Sequence, residues 1–132
     1  MRITADTNIL VRAVVADDKK QAQAAARLLK EAELIAVTLP CLCEFVWVLR
    51  RVYQFGQVNI STALEALLCA DNVAVNRPAV DAGLSVLKAG GDFADGLIAY
   101  EGNWLGGDTF VSFDKRAVAL FSHQGKQAKL LK

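Results

Sequence analysis

Short apolar runs alternate along this chain with longer stretches whose apolar residues recur every three or four positions. That alternation predicts an α/β fold with a mainly parallel central sheet in a three-layer α/β/α sandwich. Residues 2–5 read as a first strand and 8–15 as a short helix, interrupted by Asp17-Asp18. From Lys19 to Glu31 the positions Ala22, Ala25, Ala26 and Leu29 keep helical spacing. Residues 34–37 form a second strand. Thr38 then caps a helix that carries Pro40 in its first turn. Its buried stripe is expected at Phe45, Val48, Leu49 and Val52, with Phe55-Gly56 as its end. Asn59 or Ser61 is expected to cap the next helix, with Leu64, Leu67 and Leu68 turned inward. A short strand at 73–75 follows. One helix starts at Asn76-Arg77-Pro78 and runs to Gly90-Gly91, and a second covers 92–104. A strand at 109–112, a short helix at 115–121 and an edge strand at 128–131 complete the chain. No repeat or linker interrupts this order, so all 132 residues are expected to form one domain.

Composition adds limits. Apolar residues make up 54% of the chain and mean hydropathy is +0.29. These values suit a tightly packed core, or a core plus a patch that a partner covers. Trp47, Trp104 and the Cys41–Cys43 segment are assigned to core or interface. No run approaches the ~18 apolar residues of a membrane span, and Asp6 interrupts any secretory apolar segment. The three cysteines lack CxxC spacing and His123 is the only histidine. Free buried thiols in a reducing cytoplasm fit better than zinc. A net charge of +1 gives no global basic signature for nucleic acid.

The candidate chemistry is acidic. Asp6 ends the first strand and Asp114 follows the strand at 109–112, each just before a helix. Ligand sites of open α/β sheets lie at such carboxyl ends, although an Asp in that place can also simply cap its helix. Asp92 and Asp95 flank the start of another helix, as N-cap and N3. Glu44 sits among Cys41, Leu42, Cys43, Phe45, Val46 and Trp47. A buried carboxylate must be paired, neutralised or metal-bound; the plain alternatives are a solvent-facing position or pairing with Arg50 or Arg51. Four carboxylates brought to one point repel one another, and a hard divalent cation reverses that cost. Asp6, Glu44, Asp95 and Asp114 are therefore expected to converge on Mg²⁺ or Mn²⁺. Thr7, Asn8, Ser112 and Asp92 are expected to support them. Lys115 and Arg116 are candidates for phosphate contact, or else a solvated helix start; the basic tail Lys126, Lys129 and Lys132 is open to the same two readings.

The segments ITADTNILVR, LPCLCEFVWVL, GGDFADGLIA and TFVSFDKRA, in that order, resemble the PIN-domain ribonucleases and, among them, the VapC-type toxins of bacterial toxin–antitoxin pairs. The resemblance implies a Mg²⁺- or Mn²⁺-dependent endoribonuclease acting on single-stranded RNA, often a loop such as that of a tRNA. It also implies a homodimer and a cognate VapB-type antitoxin. Within it Asp95, rather than Asp92, is the metal-site acid, and Thr7 and Ser112 match the family's hydroxyl positions. Two other readings stay open. One is a receiver-like Mg²⁺-binding phosphoacceptor, although Thr7-Asn8 stands where it wants paired acids and Asn76 where it wants its acceptor. The other is a non-catalytic interaction module whose acids only cap helices.

Overall fold

Three short strands, β1 (Arg2–Thr4), β2 (Leu34–Ala36) and β3 (Val73–Ala74), form a parallel sheet with β2 in the centre. Arg2, Ile3 and Thr4 lie opposite Leu34, Ile35 and Ala36, and Ile35 lies opposite Val73. A separate parallel pair joins β4 (Phe110–Ser112) to β5 (Ala128–Leu130), with Phe110 opposite Ala128. The computed structural model describes every residue, Met1–Lys132. The expected α/β class with parallel strands is what forms, and no helix is long and apolar enough to cross a membrane. Contacts group the chain into two units, Met1–Asn76 and Arg77–Lys132.

In the first unit, α1 (Thr7–Val14) and α2 (Lys19–Glu31) connect β1 to β2, and α3 (Leu39–Arg51) and α4 (Gln57–Cys69) connect β2 to β3. The α2 boundaries are those that its apolar spacing predicts. Asp18 caps it by accepting from the Gln21 N–H at 3.0 Å. Asn72 Nδ2 donates to the carbonyls of Leu29 and Ala32 at 2.8 and 2.9 Å. Those carbonyls belong to the end of α2 that its own ladder leaves open. A three-way polar contact ties α1 to the end of α3. Arg12 Nη1 donates to Asp17 Oδ1 at 2.6 Å and to the Tyr53 hydroxyl at 3.3 Å, and that hydroxyl donates to Asp17 Oδ2 at 2.9 Å. The Tyr53 hydroxyl, with Arg12, holds the Asp17 carboxyl below its ordinary range.

Several details differ from the sequence expectation. The buried face of α3 is Cys41, Leu42, Phe45, Val46 and Leu49, whereas Val52 is exposed. The segment is apolar almost all round, so spacing alone does not choose between two overlapping stripes. The helix stops at Arg51, before Phe55-Gly56. The chain reverses through Gln54 at φ 57°, and the Phe55 N–H returns to the Leu49 carbonyl at 2.9 Å. Gly56, not Asn59 or Ser61, is the N-cap of α4, and no side chain caps it. Ser61 is buried inside that helix with its Oγ unpartnered. Leu64 is buried, but Leu67 and Leu68 are only half-buried. Trp47 and Trp104 are 58% and 76% exposed and belong to no core. The three cysteines are free, as expected, but only Cys41 is buried.

In the second unit, α5 (Arg77–Lys88) packs against α6 (Phe93–Trp104), and α7 (Lys115–His123) links β4 to β5. Phe110 and Phe121 stack at 4.5 Å between ring centroids. Glycines set the α5–α6 spacing. A Cβ on Gly96 would lie 2.6 Å from the Ala82 carbonyl oxygen and the Gly83 Cα, both backbone. A Cβ on Gly83 would meet the side chains of Leu97 and Phe93.

Gly96→Ala should therefore destabilise the protein by about 1–3 kcal/mol, the usual cost of overpacking. Gly83→Ala should cost less, because the atoms it meets belong to the side chains of Leu97 and Phe93 rather than to backbone. Denaturant midpoints of the two variants against wild type check the order.

Candidate metal centre

At the carboxyl edge of the first unit's sheet, β1 and β2 each hand the chain to a helix. The Ala5 N–H still donates to the Ala36 carbonyl at 3.1 Å, and Asp6 then takes extended backbone (φ −75°, ψ 154°) as the N-cap of α1. Its side chain makes no capping hydrogen bond. The carboxylate is exposed, and the simple helix-cap role does not account for it. On β2 the same handover gives Thr38, whose Oγ1 accepts from the Cys41 N–H at 3.3 Å and starts α3. One turn further along α3 stands Glu44.

Asp6 and Glu44 line one cleft of about 400 Å³, together with Thr4, Thr7, Thr38, Pro40 and Cys41. Glu44 was expected to be buried among apolar neighbours; it is exposed. Helical geometry sends Cys41, Leu42, Phe45 and Val46 inward and leaves position 44 on the outer face, so its charge stays hydrated. No ion pair to Arg50 or Arg51 forms. Thr7 is buried, and its hydroxyl donates to Cys41 Sγ at 3.7 Å. The Cys41 thiol in turn donates to the Ala5 carbonyl at 3.6 Å. Burial pushes the Cys41 thiol up, and the nearby charges of Asp6 and Glu44 add to that, against the Thr7 hydrogen bond. Asn8 is exposed in the first turn of α1. Sequence reasoning gave Cys41 no part in the site; its place one turn before Glu44 was the available signal.

The second unit holds the other acids. Asp92 is the N-cap of α6, accepting from the Ala94 N–H at 3.1 Å, and Asp95 stands at the third helical position, both as spacing predicts. Asp114 is the N-cap of α7. Its Oδ1 accepts from the N–H groups of Arg116 and Ala117 at 2.9 and 3.2 Å. Capping is thus one function of Asp114, and it engages a single oxygen. Ser112 Oγ accepts from the Asp114 N–H at 2.9 Å and fixes the backbone that carries the acid. Asp95 is half-buried. Burial raises its pKa, and the charges of Asp92 and Asp114 raise it further. Lys115 and Arg116 are exposed in the first turn of α7 and form no ion pair. A cavity of about 550 Å³ in this unit lies around Tyr100, Trp104, Phe110, Phe121 and Lys126, and none of the four acids lines it. Volume alone does not mark the chemistry here.

The four acids therefore divide two and two between the units. In neither unit do three Asp, Glu, His or Cys side chains gather into a ready metal cage. The donors are nonetheless of the kind a hard cation uses: oxygen atoms, with the Asp6 carboxylate free of any cap. Magnesium takes only one or two carboxylates directly and completes its shell with water. The donor set fits Mg²⁺ or Mn²⁺.

The family model of the PIN domain matches residues 3–120, through both units. The chain belongs to the PIN-domain family. That family is generally one of nucleases, typically Mg²⁺-dependent. Among curated proteins no relative matches the chain. In this PIN domain, Asp6, Glu44, Asp95 and Asp114 all fall inside the matched range.

The raised pKa of Asp95 has a consequence for stability. Its folded-state pKa lies above the unfolded value, so the folded protein binds that proton more tightly. Stability falls as pH rises through the interval between the two values and stays lower above it. Asp95→Asn should raise the melting temperature of the metal-free protein at pH 7. The gain should shrink below the ordinary carboxylate pKa, where wild-type Asp95 is protonated in both states. Thermal melts at neutral and acid pH in the presence of a chelator check this.

Proposed function

We propose that the protein is a Mg²⁺- or Mn²⁺-dependent endoribonuclease that cuts single-stranded segments of RNA, a tRNA loop being the model target. In this reading it is the VapC-type toxin of a type II pair, acts as a homodimer in the cytoplasm and is neutralised by a cognate VapB-type antitoxin. The observation that carries the nuclease reading is the Asp6 carboxylate. It stands at the carboxyl end of β1, uncapped, in a cleft it shares with Glu44, within a chain that matches the PIN family.

A divalent cation bound to these carboxylates would polarise a phosphodiester and lower the pKa of bound water. The residues of the chain do the rest. Asp6 and Glu44 offer the two direct carboxylates that such an ion takes. Asp95, whose proton affinity is raised by burial first, is the acid–base group that the second unit offers. Asp114 presents Oδ2, since Oδ1 is held by its helix. Lys115 and Arg116, exposed and unpaired beside it, contact backbone phosphates of the substrate.

Purified protein free of antitoxin should cleave tRNA or other structured RNA with Mg²⁺ or Mn²⁺, and mapping of the new ends should place the cuts in unpaired segments. Asp6→Asn, Glu44→Gln, Asp95→Asn and Asp114→Asn should each lose roughly a hundredfold or more in rate, the scale of a lost acid–base or metal-holding group. Asn caps helices as well as Asp does, so Asp114→Asn separates chemistry from folding. Equal cleavage by wild type and Asp6→Asn would falsify the reading.

A further inference from the structure

Asp6 must be held without being consumed by a cap, and the structure shows how. The carbonyl of Ala5, just before it, accepts the Cys41 thiol proton at 3.6 Å. The hydroxyl of Thr7, just after it, donates to the same sulfur at 3.7 Å. Both neighbours of Asp6 are thus fastened to one side chain, and that side chain belongs to α3, one turn before Glu44. Cys41 itself is 8% exposed, packed among its neighbours. The sulfur acts as donor and acceptor at once, which needs the neutral thiol.

We propose that Cys41 is a positioning residue for the metal-binding pair, fixing the Asp6 carboxylate relative to Glu44 by clamping the backbone and side chain on either side of Asp6. The inference rests on the metal-dependent reading of the cleft. It gives Thr7 a defined part: its hydroxyl serves the site through Cys41 rather than by reaching a ligand itself. Groups that orient metal-holding side chains matter to affinity almost as much as the ligands do.

The test is Mn²⁺ titration of the full chain, followed by thermal shift and without RNA. For wild type the melting temperature should rise with Mn²⁺, since binding to the folded state alone stabilises it. Cys41→Ala should raise the half-saturating Mn²⁺ concentration about tenfold or more. Cys41→Ser keeps both a donor and an acceptor and should restore it to near the wild-type value. Thr7→Val breaks the clamp from the other side and should weaken Mn²⁺ binding in the same direction, which keeps the idea testable if Cys41→Ala folds poorly. A Cys41→Ala protein with a lower metal-free melting temperature but an unchanged Mn²⁺ midpoint makes Cys41 mere packing and overturns the inference. So does a serine variant that behaves like alanine. A wild-type protein that ignores Mn²⁺ altogether overturns the metal reading itself, and the clamp with it.

Discussion

A carboxylate at a strand end or a helix start has to be held there by its local surroundings. The chain does this in several ways. Asp92 and Asp114 accept N–H groups at the positive ends of α6 and α7, where negative charge is favoured. Glu44 stays hydrated on the outer face of α3. Asp6 leaves its helix uncapped and relies on its neighbours' attachment to Cys41. Asp95 carries an electrostatic cost, through burial and the charges of Asp92 and Asp114. Division of labour of this kind leaves carboxylate oxygens available for a cation without unfolding the elements that carry them.

Much of the fold was legible in the sequence because local signals agreed with the final packing. The α2 helix has alanine spacing, an Asp cap and no competing stripe, and its limits follow. Asp92 and Asp95 fall at N-cap and N3 of α6 because Gly90-Gly91 leaves no other start nearby. What was not legible depended on choices that only three dimensions make. The α3 segment is apolar on nearly every side, so the sequence did not say which face turns inward. With the face misjudged, Glu44 looked buried when it is exposed. Asn59 and Ser61 looked like caps, yet the chain had already become helical at Gln57, after the reversal through Gln54. The part of Cys41 was hidden for a simpler reason: it depends on Ala5 and Thr7, which are more than thirty residues away in sequence.

The family match and the structure inform different levels. The match to the PIN family spans residues 3–120. The structure adds the hydrogen bonds of the Cys41 thiol, the Arg12–Asp17–Tyr53 contact and the exposure of Trp104. Arg12 and Tyr53 join the ends of α1 and α3 on the side away from Cys41, so the two helices that carry Thr7 and Glu44 are fastened at both ends.

Gly96, finally, bears on more than the distance between two helices. Asp95 is its immediate neighbour in sequence, so the close approach of α6 to α5 also fixes the backbone that carries this half-buried acid. Burial is the largest cause of the rise in its proton affinity. A residue with no side chain thus holds in place the helix turn on which that acid stands.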